Sequence, residues 1–474
     1  MKILLYNTLT KKKEEFKPLQ PGHLSFYYCG PTVYSTQHIG NLRGSFCADI
    51  IHRTFKYLNY DVSMARNYTD VGHLTSDADI GEDKIEKTAK KENIKPEEVV
   101  NKFINIYEQD TKKLNILEPK FKPRATENIS EMIDMVQLLI AKSYAYVTDL
   151  AVYFEVDKFK NYNQLSGRKP EKNKIGAGRA AIDDPKKKNP QDFAVWFFRA
   201  GVHKNALQFW PSPFVSPLVE NGNGFPGWHI ECSAMIRKLL GETIDIHMGG
   251  IEHVSIHHSN EIAQSEAVSG VKLANYWLHN EHLLIDNGKM SKSQGTSFAL
   301  EDIINKNFSP MALRYFYLQA HYRSKQNFTF EALKAAQKGL TGIYNKIEKL
   351  GVEVGEIDSV FKDKFLEALL DDFNTPKSLS LISDILKSNL SNEDKLATLL
   401  DFDNVWALNF SSLLDNKDNK KIDNNYPDDI IKLLEDRSIA RQNKDFAKAD
   451  EVRIKLEQRG YKVKDLPDGR SVIE

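Results

Sequence analysis

The sequence has 474 residues, more than a single hydrophobic core usually organises, so several domains are expected. Lysine plus arginine and aspartate plus glutamate each number 65, which excludes the global basic excess that marks many nucleic-acid-binding proteins. With 41% hydrophobic residues and only three cysteines, the composition is typical of a globular protein and argues against a disulfide framework.

The amino-terminal part of the chain alternates apolar and turn-rich segments. Its first residues, MKILLYNTLTKKK, lack the features of a signal peptide, and no membrane span is predicted, so a cytoplasmic location is expected. LSFYYCG and YDVSMARNYTD are predicted strands, and between them apolar residues recur at helical spacing from about Asn41 to Leu58. Strand, helix and strand in this order predict a βαβ unit, and therefore an α/β fold with a parallel sheet.

The pattern changes from about residue 126 to residue 203. A helix is predicted near Glu131 to Lys142, followed by the strand-like run AYVTDLAVYFEV and the basic loop DDPKKKNP. We interpret this stretch as an insertion, because strand and helix patterns return with GWHIECSAMIRKLLG and IDIHMGG. The first domain is therefore predicted to be split and then resumed.

The rest of the chain is predicted to be helical throughout from about residue 301. Residues 415–427, which are rich in Asn, Asp and Lys, are a predicted linker before a small terminal module. Arg459-Gly460 is predicted to end the last helix of that module. The apolar faces of its one or two helices are predicted to contain Ile431, Leu434, Phe446, Ala449, Val452 and Leu456.

The string His38-Ile39-Gly40-Asn41 is predicted to open a helix directly after a strand. Backbone N–H groups and the positive end of the helix dipole would there face a bound phosphate. His38 would donate a hydrogen bond to a phosphate oxygen, and Gly40 would let a nucleotide approach the backbone. Alone, the string would be better explained as an ordinary turn and helix start that contains an incidental histidine.

A second string, Gly288-Lys289-Met290-Ser291-Lys292-Ser293, is predicted to form a basic loop between the strand-like HLLID and a helix. Its two lysines and two hydroxyls suit a pyrophosphate leaving group, whose charge grows in the transition state. An isolated loop of this kind is usually solvated surface. The two strings together, in this order and far apart, form the paired signature of class I aminoacyl-tRNA synthetases.

Within that class, CGPTVYSTQHIGNLRG, PGWHIECSAM and HHSNEIAQSEA resemble the cysteinyl-tRNA synthetases. HYRSKQNF, DDFNTP and ARQNKDFAKADEVR resemble the stem-contact and anticodon-binding regions of that family, so the resemblance covers nearly the whole chain. It implies a monomeric enzyme that activates L-cysteine with Mg²⁺ and ATP and transfers it to tRNA(Cys). It also implies a Rossmann-type catalytic domain (1–125 and 204–300) with a connective insertion (126–203), a stem-contact region (301–350), a helical anticodon-binding domain (351–414) and a carboxyl-terminal module (428–474).

Cys29, Cys232, His257 and Glu261 match the zinc ligands of the family. The residue chemistry agrees, because His257 and Glu261 share one helix face and both cysteines are predicted to close strand-like segments. Sulfur, imidazole and carboxylate groups are ordinary zinc ligands. Two alternatives remain, that His258 is the ligand in place of His257, and that the cysteines are buried as small apolar residues.

A zinc ion would also explain how the enzyme selects its amino acid. Serine differs from cysteine by one atom, and a pocket gains little free energy from that difference in size. A metal binds a thiol as a soft, deprotonated donor, whereas a serine hydroxyl is a much poorer ligand. No editing domain is therefore expected.

The resemblance assigns further residues to the two substrates. Gly30, Thr69 and Trp228 are predicted to form the cysteine pocket, although a buried structural tryptophan is the alternative for Trp228. His38, Asn41, Lys289 and Lys292 are predicted to catalyse the reaction by positioning and charge stabilisation. ATP contacts are predicted at Thr32, His38, Gly40, Asn41 and Lys292, and also at His247, Gly249 and Gly250, which follow a predicted strand.

Two other functions remain open. Related ligases activate cysteine in the same way but pass it to an amino sugar, and they lack the anticodon-binding extension that this chain has after residue 350. A non-catalytic RNA-binding paralogue is the second alternative. His38, Lys289 and Lys292 argue against it, because a binding module has no need of groups that stabilise a reacting phosphate.

Overall fold

The computed structural model describes residues 2–72, 74, 82–167, 184–286, 288–289, 296–414, 427–442, 445–465 and 471–473. The chain divides into two compact units, Met1–Leu408 and Asn409–Glu474. The strands are β1 (Leu4–Asn7), β2 (Lys12–Glu15), β3 (His23–Tyr28), β4 (Asp61–Arg66), β5 (Ala145–Val147), β6 (Ala151–Phe154), β7 (Phe193–Phe198), β8 (Gly224–Pro226), β9 (Ile244–Gly250), β10 (Ala274–Asn280), β11 (Leu283–Ile285), β12 (Gly288–Lys289), β13 (Gln326–Phe328), β14 (Val463–Asp465) and β15 (Ser471–Ile473). The helices are α1 (Ile39–Tyr57), α2 (Lys84–Glu92), α3 (Pro96–Lys113), α4 (Ile129–Ala141), α5 (Trp228–Leu239), α6 (His257–Ser269), α7 (Leu300–Asn305), α8 (Pro310–Leu318), α9 (Phe330–Glu348), α10 (Ser359–Leu370), α11 (Thr375–Lys387), α12 (Asn392–Trp406), α13 (Asp428–Gln442) and α14 (Phe446–Gln458).

The larger unit contains a four-stranded sheet in the order β10-β9-β3-β4, and all its neighbouring strands are parallel. Phe26 at the centre of β3 pairs with Met64 on one side and with Ile246 on the other. Both faces of a parallel sheet are usually covered, and the strands accordingly carry nearly continuous apolar side chains. The predicted βαβ unit and the α/β class are confirmed.

Helix α1 connects β3 to β4 and begins at Ile39, as the signature string predicts. His38 has extended backbone dihedral angles (φ −82°, ψ 164°) and caps the helix. The apolar residues Phe46, Ile50 and Phe55 recur at helical spacing and are almost fully buried. Packing of this apolar face fixes the direction of α1, and so places its amino-terminal end at the carboxyl edge of the sheet.

The insertion folds around a second sheet, in which β5, β6, β7 and β8 are antiparallel neighbours, and α4 contacts β5 and β8. This sheet extends to Pro226, beyond the boundary predicted at residue 203, because Phe225 of β8 pairs with Phe197 of β7. Strand β8 is at the sheet edge, which tolerates a proline without a donor N–H group.

The stretch after residue 301 is mainly helical, but the prediction that it is helical throughout is wrong. Residues Gln326–Phe328 form β13, which pairs in parallel with β11. Three residues carry little local signal, and the unpaired edge of β11 supplies the hydrogen bonds that decide their conformation. Among the residues that the structure describes, no helix combines the length and the apolar character needed to span a membrane.

The smaller unit packs α13 against α14 around an apolar core. Leu434, Ala449, Val452 and Leu456 are buried there, as predicted, whereas Phe446 is 58% exposed and its predicted burial is wrong. Phe446 is the first residue of α14, where few neighbours surround a side chain. The side chain of Ile431 lies outside the described set. Beyond the predicted stop at Gly460, which has φ +87°, the hairpin of β14 and β15 adds strands that the sequence did not indicate.

Candidate active site

A cavity of about 690 Å³ opens over the carboxyl edge of the parallel sheet. Parallel α/β sheets usually bind ligands at this edge. Strand β3 leads into it through Cys29 and Gly30, and α1 contributes its first two turns. The predicted site residues that line the cavity are Cys29, Gly30, Thr32, His38, Gly40, Asn41, Thr69, Trp228, Cys232, Gly250 and His257.

The first turn of α1 forms one wall of the cavity. The Nδ1 atom of His38 accepts a hydrogen bond of 3.2 Å from the backbone N–H of Asn41, and the Asn41 carboxamide donates to Gln37. His38 therefore caps its own helix through Nδ1, and its side chain lines the cavity. The positive end of the helix dipole faces the same space, which favours a phosphate.

The second signature string lies largely outside the described residues. Gly288 and the backbone of Lys289 form β12, which pairs with Leu284 and Ile285 of β11. Lys292 is among the residues that the structure does not describe. The placement of the two lysine ammonium groups therefore stays a prediction.

The predicted cysteine pocket lies beside α1. The backbone N–H of Gly30 donates to the Asn67 Oδ1 atom at 2.8 Å, and a Cβ atom on Gly30 would lie 1.8 Å from the Asn67 carbonyl oxygen. Only glycine fits that contact. Thr69 is 2% exposed, and its hydroxyl accepts a hydrogen bond of 3.2 Å from Asn67. Trp228 is only partly buried and stacks on His257, with ring centroids 4.3 Å apart.

The four predicted metal ligands converge, with Cys29, Cys232 and His257 lining the cavity and Glu261 fully buried beside them. The ligand atoms of Cys29, Cys232, His257 and Glu261 all lie within 4.8 Å of one another, and all four side chains are buried. The sulfur atoms of the two cysteines are 4.0 Å apart although 203 residues separate them in sequence. His257 and Glu261 lie one turn apart on α6, with Nε2 and Oε1 2.9 Å from each other.

One prediction about this cluster is wrong. Cys232 does not close a strand but lies in α5, whose residues Ile230, Ala234 and Met235 pack into the core. Apolar runs of this length are ambiguous between strand and buried helix. The position of Cys232 one turn after Trp228 still brings its sulfur to the end of β3.

The buried charges of the cluster shift the pKa values of its members. Burial acts to lower the pKa of His257, yet the charge of Glu261 raises it to about 10. Burial acts to raise the pKa of Cys232, but hydrogen bonds with Cys29 and His257 lower it to about 6. Burial also acts to raise the pKa of Glu261, but the charges of His247 and His257 hold it well below its usual range. For Cys29, burial raises the pKa well above its usual value.

A second group of possible ligands shares two members with the first. Cys29, His247, His258 and Glu261 also have their ligand atoms within 4.8 Å of one another. His258 donates or accepts a hydrogen bond of 2.7 Å with His279, and burial holds the pKa of His258 well below its usual value. The alternative ligand His258 thus remains within reach of the same space.

Two residues predicted to contact adenosine lie elsewhere. His247 is fully buried, does not line the cavity among the described residues, and has its Nε2 atom 2.7 Å from the Glu261 Oε2 atom. The space above Gly249 is filled by His253 and His258, because a Cβ atom there would lie 2.7 Å from each ring. In a strand, alternate residues face opposite sides, so Gly250 lines the cavity while its neighbours do not.

The sequence arguments missed several cavity residues. Tyr28, Gly44, Ser45, Asn67, Tyr107, His253 and Asn280 also line the cavity. One of them carried a usable signal, because Tyr28 lies at the end of the predicted strand LSFYYCG, and parallel strands bring ligands to that edge of the sheet. Tyr107 is on α3, and nothing local indicates that this helix reaches the site.

Comparison with known proteins agrees with this architecture. Residues 15–338 match the family described as tRNA synthetases class I (C) catalytic domain. A Cysteine--tRNA ligase from Treponema denticola is 40% identical over 496 residues, which cover 98% of each chain. A Cysteine--tRNA ligase from Clostridioides difficile is also 40% identical, over 483 residues and 98% of each chain.

Among solved structures, Mycobacterium tuberculosis methionyl-tRNA synthetase in complex with methionyl-adenylate aligns with a TM-score of 0.54 and 12% identity. The alignment covers 83% of this chain and 91% of that chain, and it shows a shared fold. Together with the family match and the relatives at 40% identity, these findings show that the chain belongs to the cysteine–tRNA ligase family of class I aminoacyl-tRNA synthetases.

Proposed function

We propose that this enzyme activates L-cysteine with Mg²⁺ and ATP to cysteinyl-adenylate and transfers the cysteinyl group to the 3′ end of tRNA(Cys). The observation that carries the proposal is the position of the buried sulfur, imidazole and carboxylate cluster. It lies in the same cavity as the amino-terminal turn of α1. One pocket therefore offers a cluster that can select a thiol, and a helix end, the phosphate-binding wall, that can bind a phosphate.

The residues of the cluster fit a zinc ion. Cys29, Cys232, His257 and Glu261 provide two sulfurs, one imidazole and one carboxylate, all buried and within 4.8 Å of one another. When bound there, zinc supplies a Lewis acid that prefers a sulfur donor to a hydroxyl oxygen, and this preference distinguishes cysteine from serine. His247 donates a hydrogen bond to Glu261, an outer contact of the kind that orients metal ligands.

In the first step, the cysteine carboxylate attacks the α-phosphate of ATP in line, and pyrophosphate leaves. The His38 imidazole donates to a phosphate oxygen, while the capped end of α1 stabilises the negative charge. Trp228 and Thr69 hold the amino acid against the cluster. Lys289 and Lys292 stabilise the pyrophosphate as its charge develops. No protein nucleophile takes part.

In the second step, a ribose hydroxyl at the 3′ end of the tRNA attacks the adenylate carbonyl, and AMP leaves. The helical segments after residue 350 and the smaller unit support tRNA over an amino sugar as the acceptor, because a small acceptor needs no such extension. The phosphate-binding wall supports catalysis over simple RNA binding.

Pyrophosphate exchange with each of the amino acids tests the activation step. We expect exchange with cysteine and not with serine. Exchange that depends on another amino acid, or no exchange with any, would refute the proposed substrate. Charging of tRNA(Cys) compared with attachment to an amino sugar then decides the acceptor.

A cobalt-substituted enzyme tests the metal independently of activity. Added cysteine should change the absorption in the thiolate charge-transfer region, whereas serine should not, because only a sulfur ligand adds that transition. Cys232→Ser, His257→Ala and Glu261→Ala should loosen the metal and weaken cysteine binding more than ATP binding. His258→Ala should have a milder effect, and an effect equal to that of His257→Ala would favour the second group of ligands.

A further inference from the structure

Asn280 is the last residue of β10 and lies at the carboxyl edge of the sheet, where it lines the cavity. It is 8% exposed. Among the described residues, its buried Oδ1 atom has no hydrogen-bond donor, and its Nδ2 atom makes a long contact of 3.4 Å with the carbonyl oxygen of Glu281. A buried amide oxygen without a donor costs free energy, so its retention points to a missing partner.

The other described side-chain amides that line the cavity are already bonded. Asn67 accepts from Gly30 and donates to Thr69, while Gln37 and Asn41 bond to each other. Of these four described amides, Asn280 is the one with a buried oxygen that has no hydrogen-bond donor. No donor among the described residues reaches this oxygen, and a molecule that enters the cavity could supply one.

Helix α1 has no side chain at the position next to the Asn280 carboxamide. Gly44 faces it, and a Cβ atom on Gly44 would lie 3.5 Å from the Asn280 Oδ1 atom and 2.6 Å from the Tyr28 hydroxyl. Any larger side chain at position 44 would cover the oxygen. Gly40 lies one turn earlier on the same helix and also lines the cavity, so this face of α1 has no side chains that would exclude a flat ring.

The distance from the phosphate end of α1 is also suitable. Gly44 lies six positions after His38, which corresponds to about 9 Å along the helix at 1.5 Å per residue. A phosphate at the helix end and a group beside Gly44 are therefore separated by enough space for a ribose. The base of a nucleoside triphosphate bound in this way would lie beside Asn280 and could supply the hydrogen-bond donor that its Oδ1 atom lacks.

The chemistry of a carboxamide matches one purine better than the other. An adenine edge offers an amino group next to an unprotonated ring nitrogen, so it can donate to Oδ1 and accept from Nδ2 at the same time. Guanine has a carbonyl oxygen in place of that amino group, so the carboxamide would have to turn over to bind it. Oδ1 would then face the carbonyl oxygen of Glu281, which now accepts from Nδ2.

We propose that Asn280 recognises the adenine of ATP, accepting a hydrogen bond from the 6-amino group and donating one to the neighbouring ring nitrogen. Asn280 is then a specificity-determining residue for the activation step. This inference rests on the proposed function, because it concerns the nucleotide that the same cavity binds.

The test uses the full-length enzyme in cysteine-dependent pyrophosphate exchange with ATP and with purine riboside triphosphate, which lacks the 6-amino group. The wild-type enzyme should prefer ATP by roughly tenfold to a hundredfold in kcat/KM. Asn280→Leu should raise the KM for ATP by a similar factor and reduce the preference to about one. The KM for cysteine should stay unchanged. Asn280→Asp, which keeps an acceptor but loses the donor, should retain part of the preference.

Asn275→Leu is the matched control, because Asn275 lies on the same strand but does not line the cavity. It should keep the wild-type preference. If the wild-type enzyme uses both nucleotides equally, the inference is wrong. It is also wrong if Asn280→Leu keeps the wild-type preference for ATP. If the wild type shows no cysteine-dependent exchange, the proposed function fails. Equilibrium binding of ATP and of the analogue to the wild type and to Asn280→Leu then tests the inference. The quantity compared is the ratio of the two dissociation constants.

Discussion

The hydroxyl of Tyr317 donates a hydrogen bond of 2.6 Å to the backbone carbonyl oxygen of Ile39. Tyr317 lies on α8 and is fully buried, and Ile39 is the first residue of α1. Helix α8, in the predicted stem-contact region, thus holds the helix end that lines the cavity and that we propose binds the phosphate. The loss of this contact should affect phosphate positioning more than the cysteine pocket.

Tyr317→Phe removes only that hydroxyl. We expect the free energy of unfolding to fall by about 1 kcal/mol, and the adenylation rate to fall while cysteine affinity is retained. Denaturant unfolding and single-turnover adenylation measure the two effects. Tyr315→Phe, on a partly exposed position of the same helix, is the control and should change neither quantity. Normal adenylation by Tyr317→Phe would show that α1 does not depend on this contact.

Asp49 and Arg314 form a fully buried ion pair between α1 and α8, with Oδ2 and Nη2 2.6 Å apart. Burial acts to raise the pKa of Asp49, but the charges of Arg314 and Arg53 lower it. Arg314→Met should reduce the free energy of unfolding by roughly 1–3 kcal/mol, because the buried Asp49 carboxylate then keeps Arg53 as a charged partner but loses its bond to Arg314. The double variant Asp49→Leu with Arg314→Met should lose less than the two single variants together. Additive losses would contradict a direct pair.

The pKa of Asp49 is lower in the folded chain than in the unfolded chain, where it is about 3.9. The ionised Asp49 therefore stabilises the folded chain above that pH, and this stabilisation is lost as the pH falls through the pKa of the folded chain. The wild type should therefore lose stability on acidification below about pH 4. The double variant should lose less over the same range. If both proteins lose the same unfolding free energy on acidification, other carboxylates cause the loss of stability.

Zinc binding to the metal-free enzyme should release protons in a predictable number. At pH 7.5, His257 with a pKa of about 10 and Cys29 with a raised pKa are protonated, whereas Cys232 with a pKa of about 6 and Glu261 are ionised. Because ligands bind zinc without their protons, about two protons should leave per ion, rising towards three near pH 5. Calorimetry in buffers of different ionisation enthalpy measures the count. A count that does not depend on pH would contradict the ionisation of Cys232.

Lys292→Ala should lower the adenylation rate constant severely while cysteine affinity is retained. The reason is that a loop ammonium meeting the triphosphate mainly as it reacts stabilises the transition state more than the ground state. Single-turnover adenylation measures the rate, and Lys338→Ala, an exposed lysine of α9, serves as the control. A normal rate for Lys292→Ala would show that the loop is not part of the phosphate site.

Ending the chain near Lys421 should separate the two activities. The apolar core of α13 and α14 lies wholly beyond that point, so the larger unit keeps its own core. Cysteine-dependent pyrophosphate exchange should be spared, and charging of tRNA should weaken. If both activities fell equally, the terminal module would instead be required for the fold of the catalytic unit.

Local patterns in the sequence determined a substantial part of this protein. The period of apolar residues predicted β3, α1 and β4, and the signature string located the first turn of α1 because helix starts are encoded by nearby residues. The spacing of His257 and Glu261 likewise fixed their shared face on α6. Such features depend on backbone hydrogen bonds between residues only a few positions apart.

Tertiary packing decided the rest, since it brings together groups that no local pattern relates. The sulfurs of Cys29 and Cys232 meet across 203 residues, and only the packing of α5 against the sheet sets that approach. Strand β13 exists because β11 offers it an edge. The same packing turned His247 towards Glu261 and left the Asn280 carboxamide in the cavity, because strand register determines which face each side chain takes.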